Sequence, residues 1–113
     1  MSAERMRRVD EAMREVLSDA ITLSLKDPRI GFVTVTAVET SPDLRRARVF
    51  VSVLSQEKER KLTMQGLVSA RAFLQKHVAR ELRLKNTPTL DFQYDDTAER
   101  AQRLNKMLEG DPE

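Results

Sequence analysis

Cysteine is absent from the 113 residues. That removes disulfides, thiolate nucleophiles and Cys-based zinc sites together. Aromatics are scarce, with no Trp, one Tyr and four Phe, so a core must be built from Val, Leu, Ile and Met. The three glycines, Gly31, Gly66 and Gly110, form no glycine-rich loop that would cradle a phosphate. No apolar run approaches the roughly 18 residues that span a bilayer. The N-terminal stretch Met-Ser-Ala-Glu-Arg-Met-Arg-Arg is charged and has no signal-like apolar segment behind it. A soluble, cytoplasmic protein without membrane contact is expected. His77 is the sole histidine, and nothing in the spacing gathers a Ser and an Asp around it. It is expected to be a boundary residue on a helix, between its buried and exposed sides, rather than part of a catalytic group. Asp91, Asp95, Asp96 and Glu99 are oxygen donors of the kind Mg²⁺ takes. Helix capping accounts for Asp96 and Glu99, however, so no metal, no cofactor and no enzyme are expected.

What is present is charge, 34% of the chain against 40% hydrophobic residues, with a formal net charge of only +2. Its distribution says more than its sum. Residues 1–30 carry six basic and six acidic groups, and the chain from Asn86 onward carries three basic and seven acidic. The positive excess lies in the middle, around Arg45, Arg46 and Arg48 and between Lys58 and Lys85.

Periodicity gives a single α+β domain over 1–108. Met6, Val9, Met13, Val16, Leu17, Ala20 and Ile21 recur at i, i+3 and i+4 and predict a helix from residue 3 to about 26, with Glu11, Glu15 and Asp19 on its polar side. Asp27-Pro28 stops it, because proline pushes the preceding residue out of the α region. Arg5, Arg7 and Arg8, mixed with acids, are read as a solvated helix end. Phe32–Glu39, rich in β-branched residues, predicts a first strand. Thr40-Ser-Pro-Asp43 predicts a turn. Leu44–Leu54 predicts a second strand with Ala47, Val49, Val51 and Val53 on one apolar face, paired antiparallel to the first. A second helical region runs to Lys85, with Gly66 inside it and a shift of apolar phase that predicts a bend between Gly66 and Ala72. Thr89–Tyr94 alternates and predicts a third strand with Leu90, Phe92 and Tyr94 buried. Asp96 and Glu99 resemble a capping box that opens a short last helix carrying Ala101, Leu104, Met107 and Leu108. Residues 109–113 are expected to be a frayed acidic tail. Helices covering one face of a three-stranded sheet are the economical packing.

The most one-sided stretch is Ser69–Lys85, with five basic residues, Arg71, Lys76, Arg80, Arg83 and Lys85, against Glu81 alone. Leu67, Leu74, Val78 and Leu82 mark a core-facing side, and Lys76, Arg80 and Arg83, at i, i+4 and i+7, the opposite one. A solubilised surface helix would have such a face. So would a helix lying against phosphate, or one docking on an acidic protein partner. Arg45, Arg46 and Arg48 are either edge protection or further RNA contacts. The shortage of aromatic pairs argues against base-stacking platforms and favours a helix–bend–helix clamp.

Leu25-Lys-Asp-Pro-Arg-Ile-Gly-Phe-Val-Thr-Val-Thr36, then Ser41-Pro-Asp-Leu44 and Ala47-Arg-Val-Phe-Val-Ser-Val53, and finally Leu82–Asp96, resemble ribosome-binding factor A from about Arg5 to Leu108. The resemblance implies a type II KH-like fold, αββααβ, and a non-catalytic bacterial factor, a monomer in solution. Such a factor binds 16S rRNA within the free 30S ribosomal subunit, near its 5′-terminal and 3′ regions. It assists late maturation and 16S rRNA processing, and it matters in cold adaptation. Family members replace the KH Gly-x-x-Gly loop with an Ala-x-Gly kink. The matching residues here are Ala70-Arg71-Ala72, with alanine in the glycine's place. Positive φ costs alanine more than glycine, so a shallower bend, or one shaped by Ser69, is expected. The basic C-terminal extension of many members is expected to be missing.

Overall fold

The computed structural model describes residues 3–54 and 56–108, the side chains of Ala98 and Glu99 apart. Helix α1, Ala3–Leu23, buries Met13, Leu17, Ala20 and Ile21 and leaves Glu11, Glu15 and Asp19 exposed, as its 3.6-residue period dictates. Arg7 and Arg8 at its start pair with Glu4, at 2.8 Å and 3.6 Å. The helix ends at Leu23, short of the expected residue 26. Leu25 and Ile30 turn back against the core. The carboxylate of Asp27 accepts the backbone N–H of Arg29 at 2.9 Å and pairs with its guanidinium at 2.6 Å. That side-chain-to-backbone turn competes with helix directly before Pro28.

Three strands follow: β1 (Val33–Thr40), β2 (Arg46–Val53) and, after two helices, β3 (Thr89–Tyr94). They form one sheet in the order β1-β2-β3. β2 pairs antiparallel with β1 through the short turn and parallel with β3. A parallel pair needs a crossover, and helices α2 (Glu57–Ser69) and α3 (Arg71–Leu82) supply it. Ala47, Val49, Val51 and Val53 all face the helices and are buried. Leu90 and Phe92 are buried beside them, and Tyr94 is half-buried, with the guanidinium of Arg60 lying 4.3 Å above its ring.

Two local features depart from plain alternation. The β1–β2 register shifts between Val35 and Ala37, so Thr36 is a bulged residue. Its hydroxyl meets the Asp95 carboxylate at 2.7 Å. The turn is also longer than expected, because Leu44 has φ 60° and Arg45 stays outside β2. The Asp43 carboxylate accepts the Ser41 hydroxyl at 2.7 Å and the Arg45 N–H at 3.0 Å, the side-chain-to-backbone chemistry that Asp brings to turns.

Helix α4, Thr97–Leu108, behaves differently from the other three. Ala101, Leu104, Met107 and Leu108 are all exposed, Met107 by 76%, so among the described residues the apolar side that predicted the helix joins no core. At its start the carbonyl of Asp96 accepts the Arg100 N–H at 2.9 Å. The Asp96 carboxylate pairs with Arg100 at 3.0 Å. The Glu99 half of the expected capping box and the tail 109–113 lie outside the described residues.

Candidate nucleic-acid interface

The break between α2 and α3 is one residue wide. Ala70 has φ −88° and ψ 3°. Its N–H donates to the carbonyls of Gly66 and Leu67 at 3.0 and 3.1 Å, ending α2. Its own carbonyl accepts the N–H of Leu74 at 2.9 Å, opening α3. The bend falls inside the expected window. No residue from Ser69 to Ala72 has positive φ, so alanine takes the kink position without the expected strain, and Ala72 is already helical.

The bend is held from behind. Gly66 is buried, and a β-carbon there would lie 2.7 Å from Cγ1 of Ile30. Beside it the Thr63 hydroxyl donates to the Arg29 carbonyl at 3.0 Å. Gly66 is therefore a close-approach residue that seats α2 on the loop from Asp27 to Ile30, rather than a source of flexibility. From α3, the side-chain oxygen of Gln75 accepts the Leu90 N–H at 3.1 Å and ties the helix to β3. Leu74 and Val78 are fully buried below, and Leu82 is partly so.

With that side of α3 fixed to the core, Lys76, Arg80 and Arg83 stand exposed on the other. Among the described residues none of the three has an ion-pair partner. Arg83 caps the helix in the left-handed conformation, φ 50° and ψ 41°, its N–H donating to the Ala79 carbonyl. Ser69, Ala72 and Lys85 are exposed near the same face. Arg71 is placed differently. It shares the helix side of Leu74 and Val78 and is half-buried, and its Nε is buried without a hydrogen-bond partner.

The second basic cluster lies elsewhere. Arg46 and Arg48 alternate with the buried Ala47 and Val49, so they project from the open face of the sheet, away from α3. Arg48 sits in register between Glu39 and Asp91, and both Arg46 and Arg48 line a hollow of about 380 Å³ with those two acids, Ser41 and Pro42. Two carboxylates thus temper the positive charge there. Arg45 is at the strand end, its carbonyl accepting the Thr89 N–H at 2.9 Å. Arg45, Arg46 and Arg48, expected as edge protection or further RNA contacts, thus lie on a different surface from the α3 row.

One expectation needs correcting. A partly exposed aromatic pair does exist: Phe73 and His77 stack on α3 with ring centroids 6.3 Å apart, Phe73 46% exposed and His77 half-buried. The i, i+4 spacing of Phe73 and His77 was the available signal.

A three-stranded sheet covered on one face by helices, in the order αββααβ with a short break between the last two helices, is the type II KH-like class. Here the helix after the break is basic. The family model for ribosome-binding factor A matches residues 5–108, and the chain belongs to that family. It is 46% identical over 108 residues to a ribosome-binding factor A of Halothermothrix orenii, covering 96% of this chain and 88% of the relative. One from Anaeromyxobacter sp. strain K is 50% identical over 105 residues, covering 92% and 76%. The crystal structure of ribosome-binding factor A from Thermus thermophilus superimposes with a TM-score of 0.70 at 27% identity, covering 79% of this chain and 94% of that one. A second set of Thermus thermophilus coordinates, fitted into a cryo-EM map of a 30S complex, gives 0.65 at 27% identity over 78% and 92%.

Proposed function

We propose that this protein is a ribosome biogenesis factor that binds the free 30S subunit through 16S rRNA and assists its late maturation and 16S rRNA processing without catalysis. It would act as a cytoplasmic monomer, with a part in cold adaptation. The observation that carries the reading is the exposed row Lys76, Arg80 and Arg83 on α3, without an ion-pair partner among the described residues, directly after the break at Ala70. Such a row neutralises phosphates and releases their counterions without reading base sequence. Family membership supports it, as does the 30S complex into which the Thermus thermophilus factor was fitted. Lys85 extends the row. Arg45, Arg46 and Arg48, on the other surface, serve as secondary contacts.

Co-sedimentation with free 30S subunits at two salt concentrations tests the reading. Replacing Arg80 and Arg83 by Glu should weaken association by about tenfold or more and flatten its salt dependence, while the thermal midpoint stays nearly unchanged. Unchanged association removes this face from the function. RNase treatment before capture separates RNA binding from an acidic protein partner, since only the latter contact survives it.

A further inference from the structure

Phe73 and His77 stand one turn apart on α3 and stack, centroids 6.3 Å apart and ring planes inclined by 23°. The core does not use Phe73. Leu74 and Val78 fill the buried side of the helix at 0% exposure, while Phe73 is 46% exposed. His77, half-buried, supports it from the next turn. A half-exposed aromatic ring beside a second ring offers an apolar face on which a planar ligand can lie. The charges around the pair say which. Lys76 lies three residues beyond Phe73 and Arg80 three beyond His77, both exposed, and residues three and four apart are neighbours on a helix surface. Two cations thus border the rings against one acid, Glu81, four residues beyond His77 and exposed; the next acid back along the chain is Glu59.

We propose that the Phe73–His77 pair is a stacking platform for one unpaired base of single-stranded RNA, with Lys76 and Arg80 meeting the phosphates on either side of that nucleotide. This deepens the reading of α3 as a phosphate-binding helix and rests on it. Phosphate contacts alone would leave the rings without a role, and an acidic protein partner would match the charges but not the ring faces. A paired duplex keeps its bases stacked internally, so the occupant must be a loop, a bulge or an unpaired strand end. Every base has a π face, so the platform tolerates sequence while selecting single-stranded over double-stranded RNA.

The test uses the full chain and a short single-stranded RNA carrying one 2-aminopurine. The same strand with an abasic site at that position, and its fully paired duplex, are the controls. Binding should quench the 2-aminopurine fluorescence. Phe73→Leu should abolish the quench and weaken binding about five- to a hundredfold, while Phe73→Tyr keeps both. The abasic strand should bind the wild type weakly and lose nothing more in Phe73→Leu. Equal affinity and equal quenching in Phe73→Leu overturn the platform, as does a duplex that binds as tightly as the single strand. Lys76→Glu with Arg80→Glu is run alongside. If it weakens binding while Phe73→Leu does not, the phosphate reading stands and the platform falls. If neither variant weakens binding, both fall.

Discussion

Gly66 of α2 and Ile30 of the loop before β1 approach so closely that a β-carbon on Gly66 would lie 2.7 Å from Ile30 Cγ1 and 3.2 Å from its Cδ1. Gly66→Ala therefore sets two effects against each other. Helix propensity favours alanine by about 1 kcal/mol, and overpacking costs about 1–3 kcal/mol. The clash is with a branched side chain held against the core, so net destabilisation of about 1 kcal/mol is expected in urea unfolding. Ile30→Ala should restore part of it, giving a favourable coupling in the double-mutant cycle. A Gly66→Ala variant more stable than wild type would show that α2 does not press on this loop.

Arg83 occupies the left-handed cap of α3, at φ 50°, where glycine is the usual residue. Arg83→Gly should relieve the cost of that conformation and raise stability by about 0.5–1 kcal/mol. It also removes one exposed charge from the proposed phosphate row, so RNA binding should weaken and its salt slope shrink by about 0.7–0.9. Thermal melts and salt-dependent binding together check this. The expected signature is a more stable, weaker-binding variant.

Asp10 of α1 holds the end of β1. Its carboxylate accepts the backbone N–H of Thr40 at 3.0 Å and also the Thr40 hydroxyl. Asp10→Ala leaves a partly buried N–H without its acceptor, and about 1–3 kcal/mol of stability should be lost. The urea midpoint should fall with the slope unchanged. An unmoved midpoint would mean that water replaces the carboxylate there without loss.

Asp95 is a probe of acid stability. Hydrogen bonds from the Thr97 hydroxyl, then from Thr36, and from the Thr97 N–H hold its carboxyl below the ordinary value of 3.8. A lowered folded-state pKa stabilises the protein fully above the unfolded value and loses that contribution as pH falls through the folded one. The midpoint difference between wild type and Asp95→Asn should therefore be constant from pH 7 to about 5 and shrink steadily below pH 4. A difference that grows on acidification would contradict the assigned hydrogen bonds.

Much of the fold was legible because burial imposes a period. Ala47, Val49, Val51 and Val53 read as one strand face and are all buried. Leu74 and Val78 read as the core side of a helix and are fully enclosed. The same rule misled at α4, where Leu104 and Met107 follow the helical period yet stay exposed. Amphipathic spacing says that a face is apolar, not that this chain covers it. The bulge at Thr36 was not legible, because its partners, Phe50 and Asp95, come from remote parts of the sequence.

The row Lys76, Arg80 and Arg83 was determined by the sequence alone, since helical geometry puts residues at i, i+4 and i+7 on one side. So was the bend near Gly66, from the change of apolar phase. Only the tertiary structure decided what that bend requires and where the charges go. Ala70 makes the break at φ −88°, a conformation open to alanine, because the close seat of Gly66 on Ile30 and the tie from Gln75 to Leu90 hold the two helices in place. Arg46 and Arg48 were sent to the open face by the alternation of β2. Phe73 was left in water because Leu74 and Val78 had already filled the space beneath the helix. Which side of an element meets the core depends on neighbours distant in the chain, and a local pattern does not contain them.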